Sequence, residues 1–531
     1  MKRSLTLPIL LSAVLAQTVS AQQNYKRAHN NMLDDAKALL AEGQYLDASR
    51  IYKKLLSVDT NFIDVYYEMA QCEKHLPGQR DRAAGHLRKC ADAGHTEAMY
   101  ELAVAYHQQT RFDEAIGLME RYKHTFERAV ADPEVDRRIA MARTAKEMMQ
   151  APVELGIRNL GAMINSKDHD YCPLVTADGN DLYFTSRREG SVGAMRDPSG
   201  QLFEDIYCAK RIDDQWSNAR NAGIPLNTYV HDATVGLSPD GNTMIIYRTS
   251  AGLSSGDLYE SRKMGGLWQN PELMTQRINS TAHEPSASIS PDGNEVYFTS
   301  DRDGGFGGRD LYRIRRLPNG EWSLPLNLGP SVNTANDEDA PFLHSDGMTL
   351  FFSSNGHSTM GGYDVFKTVL MDADHNGWGD PENLGYPLNT VNDDIYFCLS
   401  EDGRTGYFSS ERAEGLGGQD IYLVEFPTTQ LDYLVIRGVV TDATEEPVRA
   451  RITLTDKDGN DVIGVYSTNE RTGRYIMVVQ PGAAYRMLLE AQGFEARVSN
   501  LRTDHLDADV REMPLDIVLT RNENTARVIK E

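Results

Sequence analysis

The chain has 531 residues, 40% of them hydrophobic and 25% charged, which is typical of soluble globular domains and too long for a single core. We therefore expect three or four domains. The formal net charge of −23 at pH 7 argues against nucleic-acid binding and against charge-driven docking on anionic lipid, and it favours basic partners.

The first 21 residues have the pattern of a secretory signal peptide. Lys2 and Arg3 precede a short apolar run at 5–16, and the small residues 19–21 resemble a cleavage site. No cysteine follows the apolar run, so we expect no lipid anchor. This pattern predicts export to the periplasm.

The cysteines are odd in number and scattered, so they do not indicate a disulfide framework. They are Cys72, Cys90, Cys172, Cys208 and Cys398. Buried thiols are the favoured interpretation, and a bridge between Cys72 and Cys90 is left open.

Residues 25–150 are rich in helix-forming residues and contain a weak repeat. Ala48, Ala83 and Ala115 are spaced close to the 34-residue period of tetratricopeptide repeats, and a larger apolar residue follows each of them four positions later. Small residues are needed where helices cross closely. The segment resembles a TPR array of about three hairpins, which implies either a partner-binding groove or a stacking spacer.

Residues 152–428 contain a fivefold repeat. An Asp-Gly turn, a strong hairpin signal, recurs between apolar runs at 178, 240, 292, 346 and 402. A second signature, Asp followed by Ile, Leu or Val and an aromatic residue, recurs at 205, 257, 310, 364 and 420. The repeat predicts a five-bladed β-propeller.

The outermost strand of each blade is predicted from two further features. The four tryptophans follow the first four copies of the second signature, and an Asn precedes every Asp-Gly turn by 13 residues. A copy of the fourth strand around 153–160 precedes the first repeat, and none follows the last. We therefore expect the N-terminal strand to close the ring by pairing with the last blade.

The repeats resemble the WD40-like PD40 repeat of TolB-type propellers. The segments Ser-Pro-Asp-Gly-Asn at 290–294 and Ser-Pro-Asp-Gly at 238–241 carry this resemblance. The resemblance implies a periplasmic propeller.

Five acidic residues lie eight positions before the Asp-Gly turns, where the innermost strands begin. They are Asp170, Asp232, Glu284, Glu338 and Asp394. A ring of carboxylates at one mouth of the propeller would attract a cation or a basic peptide. The alternative is that each one caps a local turn.

A second candidate cation site is the calcium-loop spacing of Asp372, Asp374, Asn376 and Asp380. The acidic residue expected at the twelfth position is missing, because Asn383 stands there. A plain hairpin turn with a short insertion is the alternative. No cofactor other than Ca²⁺ is expected.

Residues 433–520 change to short alternating strands, and the polar tail 521–531 is expected to be disordered. Gly438-x-Val440, Thr472-Gly473-x-Tyr475 and Gly493-Phe494 resemble the carboxypeptidase regulatory-like domain. That resemblance implies a transthyretin-like β-sandwich without catalytic residues.

The order of the three modules is similar to that of the Bacteroidetes type IX secretion component that ends in an OmpA-like domain, and we expect no such domain in this chain. The resemblance implies a non-enzymatic scaffold at the periplasmic side of the outer membrane, with envelope proteins as partners. Direct peptidoglycan binding is doubtful without that domain. The alternatives are a glycan or muropeptide sensor that uses the propeller mouth, and a propeller glycosidase.

Overall fold

The structure, a computed structural model, describes residues 29–522 apart from short gaps. The gaps are 77, 126–131, 177–178, 198–199, 214, 239, 251, 253–254, 373–375, 401–402, 428–433, 458–461, 470–471, 480–481 and 506–511. The predicted signal peptide and most of the polar tail therefore lie outside the described residues. The predicted order of a helical array followed by a propeller is confirmed.

The N-terminal part of the described chain is an array of seven helices. The described part of α1 spans residues 29–41. The others are α2 (Tyr45–Val58), α3 (Ile63–Lys74), α4 (Arg80–Asp92), α5 (Thr96–Gln108), α6 (Phe112–Thr125) and α7 (Pro133–Gln150). Ala48, Ala83 and Ala115 are buried in the contacts between helices. None of the described helices is long and apolar enough to cross a membrane.

Five antiparallel sheets follow. Each has three inner strands, of which β12 is short, and an outer strand that is split into two segments in blades 1, 2 and 4. The strand β1 (Gly156–Asn159) precedes them. Blade 1 consists of β2 (Asp170–Val175), β3 (Asp181–Ser186), β4 (Asp205–Ile212), β5 (Gln215–Trp216) and β6 (Arg220–Asn221). Blade 2 consists of β7 (Asp232–Leu237), β8 (Thr243–Thr249), β9 (Gly256–Met264), β10 (Leu267–Trp268) and β11 (Glu272–Leu273). Blade 3 consists of β12 (Ala287–Ile289), β13 (Glu295–Ser300), β14 (Asp310–Arg315) and β15 (Leu326–Asn327). Blade 4 consists of β16 (Glu338–Leu343), β17 (Thr349–Ser354), β18 (Asp364–Asp372), β19 (Gly377–Trp378) and β20 (Glu382–Asn383). Blade 5 consists of β21 (Asp394–Leu399), β22 (Thr405–Ser410), β23 (Asp420–Glu425) and β1.

The blades form a closed ring. Their innermost strands contact one another in cyclic order, and β2 of blade 1 contacts β21 of blade 5. The strand β1 pairs antiparallel with β23, with Gly156 opposite Glu425 and Asn159 opposite Tyr422. β1 falls within the segment 153–160 from which the closing strand is expected. The closure leaves no unpaired sheet edge at the ends of the ring.

The recurring Asn before each blade makes two hydrogen bonds to the preceding blade. We call this pair of bonds a clip. The side chain of Asn227 accepts from the backbone N–H of Ile206 at 2.8 Å and donates to the carbonyl of the same residue at 2.9 Å. Asn165 makes the same two bonds to Ile421, so it links the first blade to the last. The other clips are Asn279, Asn333 and Asn389. The constant 13-residue spacing therefore reflects one hydrogen-bonding geometry repeated at every junction.

The C-terminal part consists of two four-stranded sheets around one hydrophobic core. One sheet contains β24 (Leu434–Asp442), β27 (Arg474–Val479), β30 (Glu512–Pro514) and β31 (Ile517–Leu519). The other contains β25 (Arg451–Asp456), β26 (Val462–Ser467), β28 (Ala484–Glu490) and β29 (Arg497–Arg502). Both sheets contribute to the core, as Ile436, Ile452 and Leu489 illustrate. Val435 also packs with Phe426 of the propeller, so the two parts are in contact.

The helical array packs against the propeller. Phe112 of α6 and Ala142 and Ala145 of α7 form a buried cluster with Met360 of blade 4. The His107 ring bonds to the Met360 carbonyl at 2.8 Å, and burial lowers the pKa of His107 to about 4. The array is therefore held by an apolar contact and by a neutral histidine.

Candidate functional site: the upper face of the propeller

The two faces of the propeller carry different loops. We call the face at which the innermost strands begin the upper face; the Asp-Gly turns lie on the lower face, as at Gly241, Gly293 and Gly347, whose positive φ angles of 69–72° suit glycine. The helical array contacts the upper face at blades 4 and 5: Arg137 donates to the Asn355 carbonyl at 2.9 Å, and Arg80 to Glu411 at 2.6 Å. Among the residues that the structure describes, the hydrogen bonds and the buried cluster that join the array to the propeller involve blades 4 and 5.

The five acidic residues predicted to form a ring are all buried at the upper ends of the innermost strands. Their exposed fractions are at most 1%. Each carboxyl bonds to the backbone N–H and the hydroxyl of the Ser or Thr four residues earlier, as Asp232 does with Thr228 at 2.6 and 2.7 Å. These bonds are the turn-capping arrangement that the sequence left open as the alternative.

A second partner completes most of these caps. An arginine bonds to the carboxyl in four blades: Arg188, Arg248, Arg302 and Arg412. In blade 4 the partner is the hydroxyl of Ser354, at 2.7 Å from Glu338. Without a nearby cation, burial raises the pKa of Glu338 to about 7. Burial also raises the pKa of Asp394, to about 6, although Arg412 opposes the shift.

A polar cluster at the mouth of the channel lies outside the predicted ring. Glu204 accepts from Arg187 at 2.7 Å, from the Tyr171 hydroxyl, and bonds to the His231 ring at 3.0 Å. Burial by itself would raise the pKa of Glu204, but the bond to His231 and the charge of Arg187 outweigh it and hold the pKa at about 2. Glu204 is therefore a fixed carboxylate.

A similar cluster joins blades 3 and 4. Arg309 donates to Asp339 at 2.6 Å and to the Tyr363 hydroxyl, which donates to Asp337 at 3.2 Å. Tyr396 of blade 5 is within electrostatic range of both Asp339 and Glu204. The repeat spacing could not reveal these clusters, because only one or two blades contribute each residue type.

The channel below the mouth is narrow and mainly apolar. Leu174, Val235, Phe342 and Phe397 line it, and its cavity is about 40 Å³, room for a few water molecules. This part of the channel therefore has no room for a ligand larger than a few water molecules.

The seams between blades are the same at four of the five junctions. At each of the four, the N–H of the acidic ring residue donates to the carbonyl before the third strand of the preceding blade. The four bonds are Asp232 to Glu204, Glu338 to Arg309, Asp394 to Tyr363 and Asp170 to Gln419, at 2.7–2.9 Å. Within the described residues, Glu284 and Gly256 make no such bond at the seam between blades 2 and 3.

Two changes in sequence distinguish this open seam from the other four. Blade 3 has Pro285 after its acidic residue, and its inner strand β12 begins only at Ala287. Blade 2 has Leu273 where the other blades have an Asn bonded to the aspartate of the third strand, as Asn221 is bonded to Asp205. These departures from the repeat are the sequence signal of the seam.

A cleft of about 900 Å³ opens at this seam. The His283 ring lies 5.8 Å from the Tyr247 ring, edge to face, and its Nε2 is 3.3 Å from the Tyr247 hydroxyl. Asp301 and Asp303 are exposed in its lining, and Ser255 lies on the opposite wall. We call this site the seam cleft.

The predicted calcium loop is only partly described. Asp374 and the side chain of Asp372 lie outside the described residues. Asn376 donates to the Asn327 carbonyl at 3.2 Å and accepts from the Trp378 indole at 3.3 Å, while Asp380 is exposed. No group of three or more metal-binding side chains is found in the described part of the chain. The Ca²⁺ site remains a prediction.

All five cysteines are free thiols in the structure. Cys72 and Cys90 are both buried, and burial raises their pKa values, to about 12 and about 11. They are helix-core residues in contact with apolar neighbours.

These features define a five-bladed β-propeller protein with a helical array on its upper face and a two-sheet module after it.

A comparison with protein-family models finds no match, and neither does a comparison with curated proteins. Among solved structures, the chain is similar to TolB from Acinetobacter baumannii, with 16% identity over 50% of this chain and 57% of that one and a TM-score of 0.30. It is also similar to a putative TolB from Agrobacterium tumefaciens, with 17% identity over 61% of this chain and 97% of that one and a TM-score of 0.31. An endo-arabinase from Bacteroides thetaiotaomicron VPI-5482 has 12% identity over 51% of this chain and 97% of that one, with a TM-score of 0.32. Since these scores are low, the propeller assignment depends on the strand topology of this chain.

Proposed function

We propose that this protein is an exported scaffold that binds other proteins of the bacterial envelope through the upper face of its propeller. The observation that carries this proposal is the asymmetry of that face. The helical array contacts blades 4 and 5, and the seam cleft opens between blades 2 and 3. A helical array fixed on the same face as an open cleft can bind a partner protein that contacts both.

The chemistry of the seam cleft favours a basic, extended segment of a partner protein. Asp301 and Asp303 provide negative charge at the rim, in a chain that is itself strongly acidic. Tyr247 and His283 offer aromatic rings against which a lysine or arginine side chain can pack. Charge complementarity of this kind increases both the association rate and the selectivity for basic partners.

The carboxyl groups of the face support a non-enzymatic role over a glycosidase. A glycosidase needs an acid with a raised pKa in contact with the substrate. Glu204, at the mouth, has a pKa of about 2 and is therefore ionised. The acids of the face with raised pKa values are all buried and hydrogen-bonded inside the propeller; they are Asp205, Asp232, Glu338, Asp364, Asp394 and Asp420.

The proposed location is the periplasm, at the periphery of the outer membrane, within a machine such as the type IX secretion or gliding apparatus. The signal-like N-terminus and the resemblance of the three modules support this location. The resemblance alone supports the choice of machine.

Affinity capture with matched variants tests the proposal. The full mature chain is immobilised and exposed to a detergent extract of the bacterial envelope. Ser255→Trp fills the seam cleft and Asp303→Lys reverses its charge, while Leu324→Trp, at an exposed edge of blade 3, is the control. We expect the same envelope proteins to be captured by wild type and control and to be lost with the cleft variants.

Two results would contradict the proposal. Unchanged capture by the cleft variants would show that partners do not use this surface. Saturable binding of a small glycan or muropeptide that Ser255→Trp abolishes, without any captured protein, would replace the scaffold with the sensor, since the cleft is large enough for such a ligand.

A further inference from the structure

The helical array is held by three apolar residues of the propeller at the junction of blades 4 and 5. They are Met360, Tyr386 and Val391, and they pack against α6 and α7. We call them the covered triad. Because the blades are repeats, each of these residues has a counterpart at every other junction, and the counterparts show where a second helix could dock.

The junction of blades 1 and 2 reproduces the position of Met360. The backbone N–H of Met360 donates to Asp364, the first residue of β18, at 2.8 Å. The backbone N–H of Val192 donates to Asp205, the first residue of β4, at 2.7 Å. Val192 is therefore the counterpart of Met360 in blade 1.

The same junction reproduces the other two positions. Ile224 and Tyr386 each precede a proline and lie three residues before the asparagine of the clip, while Tyr229 and Val391 each lie two residues after it. Gly193 comes so close to Tyr229 that an added Cβ would lie 3.1 Å from the Tyr229 Cα, and the corresponding glycine approaches Val391 in the same way. We call Val192, Ile224 and Tyr229 the open triad.

The open triad is accessible, as its name states. Ile224 is 79% exposed and Tyr229 is 70% exposed, whereas Met360 of the covered triad is fully buried. Met195, in the same loop as Val192, is 47% exposed and enlarges the apolar surface. Single exposed apolar residues are ordinary on protein surfaces. These residues differ because they occupy the positions that bind helices elsewhere in the same ring.

The other three junctions do not have a large apolar residue at the third position of the triad. The residues that stand there are Lys167, Thr281 and Ala335. Large apolar side chains at all three positions are therefore a property of two junctions, and one of these two binds helices.

The covered triad also indicates what the open triad would bind. The helices that cover it present Phe112 and, three residues apart on α7, Ala142 and Ala145. Small residues on a helix let its backbone come close to the surface on which it packs. In each copy of the chain this face of the array is buried against its own propeller, so a second copy does not have it available.

We propose that the open triad binds an amphipathic helix of a partner protein. Such a helix would carry small and larger apolar residues on one face, with the spacing i, i+3, i+4 and i+7. The surface adjoins the seam cleft, because His231, two residues after Tyr229, accepts through its carbonyl from Thr249 in the cleft lining. The inference rests on the proposed scaffold role only in that a protein binds the upper face, and it names a different surface and a different class of partner.

Site-specific photo-crosslinking tests the proposal on the full chain in intact cells. The photoreactive residue p-benzoylphenylalanine replaces Ile224 and, as the control, Leu267, which is 72% exposed in blade 2. We expect a crosslink to another protein from position 224 and not from position 267. Mass spectrometry should place that crosslink in a helix of the partner that has the stated apolar spacing.

Binding of the purified partner to the full mature chain, measured by biolayer interferometry, provides the second readout. Ile224→Asp and Tyr229→Asp should each weaken binding about tenfold or more, because a charge would be placed in an apolar contact. Leu267→Asp should bind as wild type does. Since all three side chains are exposed, thermal unfolding should show the same stability in all three variants.

Four outcomes would overturn the proposal. They are the absence of a crosslink from position 224, a crosslink to a second copy of this chain, a crosslink to a partner segment that is not helical, and wild-type affinity in both Ile224→Asp and Tyr229→Asp. Ser255→Trp separates this surface from the seam cleft. If only Ser255→Trp weakens binding, the cleft is the binding site and the open triad is not; if only the triad variants weaken it, the open triad binds the helix and the cleft does not contribute.

Discussion

Glu338 allows a quantitative test of the buried carboxyl caps. Its side chain is fully buried and bonds to Thr334 and Ser354, and no arginine compensates its charge. Burial raises its pKa from 4.5 to about 7. The folded chain therefore binds more protons at this site than the unfolded chain between about pH 4.5 and pH 7. The stability that this proton contributes is complete below pH 4.5 and is lost as the pH rises through 7.

The expected magnitude follows from the size of the shift. One pKa unit corresponds to about 1.4 kcal/mol, so ionisation of Glu338 costs the folded state about 3 kcal/mol at pH 8. Glu338→Gln resembles the protonated acid and avoids this cost. The stability of the variant relative to wild type should therefore increase by about 3 kcal/mol between pH 4 and pH 8.

Urea denaturation followed by tryptophan fluorescence measures this difference, because all four tryptophans lie in the propeller. Glu382→Gln, whose carboxyl is 69% exposed, is the control. A difference between Glu338→Gln and wild type that does not change with pH, or that decreases as the pH rises, would refute the reasoning. If Ca²⁺ stabilises wild type at pH 8 and Glu338→Gln abolishes the effect, the carboxyls form a cation site instead.

Two further predictions concern the contacts that close the propeller ring and those that hold the helical array on the propeller. Asn165→Ala removes both bonds to Ile421 and leaves the buried N–H of that residue unpaired, while its carbonyl keeps the bond from the Leu160 N–H at 3.1 Å, so the free energy of unfolding should fall by about 1–3 kcal/mol. Urea denaturation checks this against Asn242→Ala, an exposed turn residue, and a loss below about 0.5 kcal/mol would contradict the clip. Met360→Asp places a charge in the buried contact between the helical array and the propeller, so the array should detach from the propeller. A larger radius of gyration in X-ray scattering and faster proteolysis near residue 151 would measure this detachment. Leu416→Asp, a change at an exposed position on the same face, should have neither effect. A Met360→Asp variant that stays compact would show that other contacts hold the helical array.

The repeat features of this protein could be predicted from the sequence because each depends on short-range geometry. The Asp-Gly turns lie between strands that pair directly with each other, and the clip made by Asn227 needs only the 21-residue separation from Ile206. The helical array likewise depends on small residues at a fixed period. A pattern that recurs in every copy is visible without any knowledge of where the copies meet.

The acidic ring shows where a pattern is insufficient. The sequence placed Asp170, Asp232, Glu284, Glu338 and Asp394 at equivalent positions but could not say whether they face solvent. That depends on the Ser or Thr and the arginine that each blade brings to the same carboxyl. The structure gives every one of them such partners or, in Glu338, two hydroxyls and a backbone N–H.

The sequence by itself determined the number of repeats, the order of the modules and the acidic character of the chain. Tertiary structure alone decided where the symmetry breaks. The seam cleft depends on the separation of two loops from different blades, and a cavity between blade 3 and the C-terminal module is lined by Arg313 and Arg437, which are 124 positions apart in the chain. Contacts between such distant residues are set by how blades and modules pack, and local periodicity carries no information about that packing.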